Sequence, residues 1–416
     1  MRLVLLAALV AAPALAQEPK RPRVEGDSNS AIAYYEMGAR LLVEQPEEAL
    51  NAFYWAARID PEWPAASYGL RIAQYNVVPR LLAAYPSMTG RMLEAADVMQ
   101  IDSLQLRAEV LDPFFPRDLE RQFLERTIAA QLQEAVGRGS GSVTIYVQGG
   151  PVVVKLGSPD PSGRGQQVDP LEIDLVARQI LGSNAAFLTR GIITAGAGRH
   201  ENALDQFRRA LVESRVRPLI HAERARAFHA LGRVDSAVAA LEAAIAELAR
   251  PEQQRFARLY QTAAAYRYAI GVIRERAGQG TEARAAYEQA LAADSAFYGA
   301  RFRLGVMAFA ARDTAAALSQ MERAVNTAPR EVTQRVTYGL LLAQAGRGAA
   351  AVEQLRLVTG LEPHYAWAYY VLGRVTESGE PVAAAAAYRT FLALATADHP
   401  RRADATQRLA RLASGN

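Results

Sequence analysis

Small and apolar positions recur along this chain at a fixed interval. Leu304-Gly305 is followed by Ala317, Met321, Ala324 and Pro329, and Tyr338-Gly339 by Ala351, Leu355, Val358 and Pro363. Leu372-Gly373 opens a third copy, with Ala384, Tyr388 and Phe391 one residue early. Gly271, Gly305, Gly339 and Gly373 stand 34 residues apart, and Gly271 has Ala283, Tyr287 and Ala290 behind it. Two earlier copies, from Gly191 and Ala225, keep the same step, and an N-terminal one reads Met37-Gly38, Ala49, Phe53, Ala56, Pro61. The pattern predicts units of two antiparallel helices. A Gly or Ala on the first helix and an Ala on the second let the backbones approach, and the bulky residue four positions on (Phe53, Phe207, Tyr287 or Met321) fills the space beside the crossing. Gly198, Gly232, Gly278 and Gly346 suit the tight turn between the helices. The terminal Pro stops the second helix and starts the next unit.

These copies resemble the tetratricopeptide repeat (TPR) family, over roughly residues 31–64 and 184–412. The aromatic that opens the first helix is kept as Tyr34, Phe187 and Tyr369 and replaced by Arg301 and Arg335. The resemblance implies an all-α, right-handed α-solenoid of helical hairpins in which each unit buries its apolar face against its neighbours. It also implies a concave face lined by first helices. The matching positions here are Tyr268, Val272, Phe302, Val306, Phe309, Val336, Leu340, Trp367, Tyr370 and Arg374. That wall is apolar and aromatic and lacks the Lys, Arg and Asn clamp that would hold a free peptide C-terminus. It suits a hydrophobic or helical segment. Alternatively, these residues pack on neighbouring helices, or the middle of the chain folds into the groove.

Two breaks in phase stand out. The step from Ala237 to Ala283 is 46, and the extra residues, around Ile245 to Arg258, predict a longer second helix or a further helix after Pro251. The larger break, about residues 75–183, carries many prolines, so short helices are expected near Thr89–Met99, Ser103–Leu111 and Arg117–Val136. Degenerate repeats are a further reading around Ala95–Leu111. Val143–Gln148 and Pro151–Leu156 are β-rich and flank Gly149-Gly150, the pattern of a hairpin with a two-residue turn. Asp169-Pro170 with Glu172 reads as the start of another helix, to about Leu181. The expected organisation is a signal peptide (1–16), a flexible linker (17–30), an N-terminal repeat unit (31–79), an insertion (80–183) containing the hairpin at 143–156, the main array (184–396), and a capping helix with tail (397–416).

The first residues change the expected compartment. Arg2, the apolar run Leu3–Ala12 and the small residues around Ala14-Leu15-Ala16 have the layout of a Sec-type signal peptide, cut after Ala16. After Gln17 no apolar run reaches the ~18–20 residues of a membrane span. The expectation is a periplasmic or extracellular protein. With no cysteine, no disulfide contributes to its stability.

Charge adds little. The chain has 47 Lys and Arg against 43 Asp and Glu, a net charge too small at 416 residues to argue for nucleic acid. Lys20 and Lys155 are the only lysines, and eight arginines face four acids between Arg199 and Arg233. Arg208, Arg209, Arg215, Arg217, Arg224 and Arg226 therefore form a candidate patch for an anionic partner, since Arg forks onto carboxylate and phosphate. A solvated face laced with Glu201, Asp205, Glu213 and Glu223 is the competing reading.

Candidate chemistry is sparse. Gly137-x-Gly139-x-Gly141 follows a helix and precedes a strand, the reverse of a phosphate-binding loop. The histidines, His200, His221, His229, His364 and His399, have no i, i+4 pair. No catalytic, metal or cofactor residues are assigned. The expected function is a non-enzymatic exported scaffold for protein or peptide segments, compatible with a place in an envelope complex. The alternative is a ligand-binding or enzymatic module carried by residues 80–183, with the repeats as support.

Overall fold

The computed structural model describes residues 18–84, 90–137, 142–147, 150–155, 187–212, 216–254 and 260–414. The expected signal peptide, the loop and helix expected between 157 and 181, and Arg215 lie outside them.

Helices in hairpins dominate. The N-terminal lobe contains α1 (Ala31–Leu41) with α2 (Pro46–Ile59), α3 (Pro64–Ala84) with α4 (Gly90–Leu111), and α5 (Asp118–Gly137). Strands β1 (Ser142–Val147) and β2 (Gly150–Lys155) follow as an antiparallel pair lying against α5. The array then runs α6 (Phe187–Gly196) with α7 (His200–Ala210), and α8 (Arg217–Ala230) with α9 (Val234–Leu248). After the short α10 (Pro251–Gln254) come α11 (Ala263–Arg276) with α12 (Gly280–Ala293), and α13 (Tyr298–Ala310) with α14 (Thr314–Thr327). The last pairs are α15 (Val332–Gln344) with α16 (Gly348–Leu361), and α17 (Ala366–Thr376) with α18 (Pro381–Leu394). The final helix is α19 (Arg402–Ser414). Apart from α4, each second helix also packs on the next first helix or on α19, and α5 packs on α6, so the array is a continuous solenoid.

The crossings explain the small residues. A Cβ placed on Gly38 would sit 2.9 Å from the Phe53 ring, and one on Gly373 2.7 Å from the Tyr388 ring. The facing alanines, Ala49, Ala203, Ala283, Ala317, Ala351 and Ala384, have no exposed surface. Gly198, Gly232, Gly278 and Gly346 have φ between 71° and 75° and close the turn between helices. In the one remaining unit with this turn, Arg312 adopts it at φ 63°. Side-chain caps start several helices: Ser30 accepts from the Ala33 amide, Thr262 from Ala265 and Asp313 from Ala316.

Four expectations for the first 155 residues are corrected. Residues 18–30 are pinned rather than free: the Pro19 carbonyl accepts from Trp55 Nε1 at 3.1 Å, and Arg21 Nε donates to the Tyr34 hydroxyl at 2.9 Å. Helix α3 runs through Pro79, because a proline removes one backbone bond and need not end a helix that its neighbours hold. Helix α4 is continuous where two short helices were expected. Ser103 does not cap a new helix; its hydroxyl donates back to the Gln100 carbonyl at 2.7 Å. Helices α3 and α4 therefore form a second, degenerate hairpin in the lobe. In the β pair, Val147 is opposite Gly150, so Gly150 belongs to the second strand and not to the turn.

Candidate functional site

The first-helix wall of the array is covered over part of its length by the chain's own N-terminal lobe. The end of α4 sits on α11 and α13: Val110, with Leu106 and Phe114 beside it, joins Tyr268, Val272, Phe297, Ala300 and Leu304 in one apolar cluster. The Tyr268 hydroxyl donates to the Val110 carbonyl at 2.5 Å. A Cβ on Gly299 would lie 2.9 Å from Val110. Glycine at that position is therefore what admits α4.

Behind this seat lies an enclosed ion cluster. Arg117 bonds Glu223 at 2.9 Å and Glu109 at 3.0 Å; Arg226 bonds Glu109 at 2.8 Å and donates to the Pro113 carbonyl. Burial opposes the charge on Arg117, but Glu223, Tyr68, Glu120 and Glu109 outweigh it, and its pKa lies above the ordinary arginine value. A cavity of about 20 Å³, the size of one water molecule, lies beside the cluster between Glu109, Phe114, Arg226, Ala265 and Tyr266.

Farther along the array the contact changes character. The residue preceding each first helix recurs at 34-residue steps as Phe297, Glu331 and Tyr365, and the lobe touches each. Phe297 meets the α4 cluster. Glu331 pairs with Arg107 at 3.3 Å. Tyr365 lies beside Glu62 and Asp60, and burial together with these acids raises its pKa well above the ordinary phenol value. Next to it, Arg58 pairs with Glu362 at 2.6 Å and with Glu18 at 2.8 Å. The Trp55 ring lies edge-on to His364 at 4.9 Å. The contact ends where Asn29 Nδ2 donates to the Ala393 carbonyl at 2.8 Å and the Ala397 amide donates to Asp27 at 3.1 Å.

This covering divides the ten expected groove residues. Tyr268, Val272, Val336 and Tyr370 are buried. Tyr268 and Val272 are under α4; Tyr370 donates to Asp404 of α19 at 2.7 Å and stacks on Trp367; Val336 joins the core around Leu355 and Val371. For these four the expectation of an open wall is corrected: they pack on neighbouring helices or on the lobe. Phe302, Val306, Leu340 and Trp367 are half-buried, and Phe309 and Arg374 are exposed. What sequence reasoning missed is the rim itself. The 34-residue spacing of Phe297, Glu331 and Tyr365 was there to be read, but their partners lie more than 180 residues away in the chain.

The expected arginine patch is not one surface. Arg226 is committed to the ion cluster, and Arg217 pairs with Glu247 at 3.0 Å. Arg224 meets His221 at 3.2 Å and lies over the Phe228 ring. Arg208 and Arg209 are exposed and share Asp205. Among the described residues no cluster of His, Asp or Glu could hold a metal ion, and no helix is long and apolar enough to cross a membrane.

Helical hairpins at a 34-residue pitch, small residues at each crossing and a repeated left-handed turn define the chain as a TPR-type α-solenoid. No protein-family model and no curated protein matches it. Among solved structures it is similar to the C-terminal part of a TPR repeat-containing protein from Cytophaga hutchinsonii, at 15% identity over 54% of this chain and 85% of that one, TM-score 0.41. It is similar to YrrB, described as a TPR protein with an unusual peptide-binding site, at 22% identity over 48% of this chain and 97% of that one, TM-score 0.36. It is also similar to a chain of the APC/C hetero-tetramer Cut9-Hcn1, at 13% identity over 95% and 78%, TM-score 0.39. At this distance the likenesses transfer no function.

Proposed function

We propose that this chain is an exported, non-enzymatic scaffold that binds a protein or peptide segment along the open part of its first-helix wall. The observation that carries this reading is the run of Phe302, Val306 and Phe309 on α13, Leu340 on α15 and Trp367 on α17, ending at exposed Arg374. Phe309 is 36% exposed, and the residues beside it are apolar and only half-buried, a surface an apolar helix can cover. Export rests on the signal-like residues 1–16, and a place in an envelope complex follows from that compartment.

The test is capture of a partner from envelope extract by the full chain. Replacing Phe302 and Phe309 with Ser is expected to lower capture at least tenfold while the far-ultraviolet spectrum stays helical. Unchanged capture sinks the groove. Amino-terminal sequencing of the chain recovered from the envelope is expected to begin at Gln17, and an intact Met1 would overturn export.

A further inference from the structure

We infer that the rim Phe297–Glu331–Tyr365 is a docking surface for an apolar helix carrying an arginine, held in reserve by the N-terminal lobe, which acts as a releasable clasp. This deepens the scaffold reading and rests on it for its use in the cell.

The occupant's chemistry is taken from what now sits there. Leu106 and Val110, four residues apart, share one face of α4, and Arg107 lies beside them. The apolar pair packs toward Phe297 and Tyr268 while Arg107 reaches Glu331. A partner helix with the same layout makes the same contacts. The acceptor side is built for it: glycine at position 299 leaves room for the incoming helix, and acids stand at Glu331 and Glu362.

The lobe's hold on the far rim combines ion pairs and single hydrogen bonds with the Trp55–His364 ring contact and Tyr365 beside Glu62. The pairs Arg107–Glu331 and Arg58–Glu362 leave 12–21% of their side-chain surface in water. Charges so enclosed are screened by salt only in part. The clasp therefore opens when its arginines are reversed or when a competing arginine helix takes its glutamates.

The test uses the full chain, which has no cysteine, so a single introduced thiol is its only one. Ala265 is 7% exposed and lines the cavity beneath Val110 and Phe114, which leaves space for the sulfur of Ala265→Cys. Thiol labelling is expected to be at least tenfold faster when Arg58→Glu and Arg107→Glu are added, and to rise by a smaller factor between 0.05 M and 1 M salt. Adding Glu331→Arg and Glu362→Arg as well re-forms the pairs and is expected to restore slow labelling. A fluorescent peptide of residues 100–116 is expected to bind the charge-reversed chain at least tenfold more tightly than the unaltered one. Labelling that ignores salt and every substitution overturns the clasp, and so does equal peptide binding by both chains. If the charge-reversed chain loses its helical spectrum, the salt series and the charge-swapped chain decide. None of these readings uses an envelope partner, so their failure sinks the clasp and leaves the groove proposal to its own test.

Discussion

The N-terminal lobe meets the array in two places of opposite construction. At the inner seam, Val110 is buried among Tyr268, Val272 and Phe297, and Arg117, Arg226, Glu109 and Glu223 form an ion cluster with 7–18% of their side chains exposed. At the outer seam, Arg58, Arg107, Asn29 and Asp27 reach single residues in or near the ends of successive units. Enclosed charges are costly to desolvate and tolerate little misplacement, so the inner seam sets where the lobe sits once it is closed. The outer pairs lack the shared acids and apolar seat of the inner cluster, so the outer seam yields first when the lobe lifts.

Removing one enclosed charge has the largest expected effect. Arg117→Ala takes the cation from Glu120 and leaves Glu223 and Glu109 with Arg226 alone, and urea unfolding is expected to show a loss of about 3–5 kcal/mol. Arg58→Ala, the matching change at the outer seam, strips buried Glu362 of its cation and is expected to cost less, about 1–3 kcal/mol, with little change in high salt. Equal costs would erase the distinction between the seams.

The same division explains what was legible in the sequence. The array's hairpins are local: Gly305 meets Met321 and Gly373 meets Tyr388 within one unit, so a fixed step exposes them. The lobe's second hairpin was legible only as degenerate repeats around Ala95–Leu111, because α3 and α4 are long, out of phase and interrupted by Pro79, although α4 carries no proline or glycine after Gly90. The seams were invisible for another reason. Arg107 and Glu331, or Arg58 and Glu362, read in the sequence as ordinary charges in or beside helices, and nothing in either stretch names the other. The expected groove residues lie on first helices, but whether a first-helix side chain faces water depends on what folds over it. Tyr268 and Phe302, 34 residues apart at equivalent positions, show this: the first is buried under α4 and the second is half-buried.

Acid is expected to act on the inner side first. His221 lies on α8, two residues before Glu223 of the ion cluster, and is 7% exposed. Burial, reinforced by Arg224, lowers its pKa from 6.5 to about 4. The unfolded chain therefore binds a proton that the folded chain refuses. The stabilisation is fully present above pH 6.5 and is lost as pH falls toward 4. The loss is expected to be on the order of 1 kcal/mol, seen as a falling melting temperature over that window. His221→Gln is expected to flatten the fall, and an unchanged slope would remove His221 as its cause.

The smallest expected effect isolates the array from both seams. Arg312 holds φ 63° at the turn between α13 and α14, where four other units use glycine at 71–75°. The turn needs this conformation because the Arg312 amide bonds the Phe309 carbonyl and the Asp313 amide bonds the Ala308 carbonyl. An L side chain is strained there by about 1–2 kcal/mol, and glycine removes the strain while adding freedom to the unfolded chain. Arg312→Gly is expected to stabilise the chain by about 0.5 kcal/mol, measured by urea unfolding. Since Arg312 is exposed and lies at the end of α13 opposite the rim, thiol labelling at Ala265→Cys should not change. A gain in stability that also slowed labelling would mean that the array and the clasp are one cooperative unit, and the two seams could no longer be treated as separate.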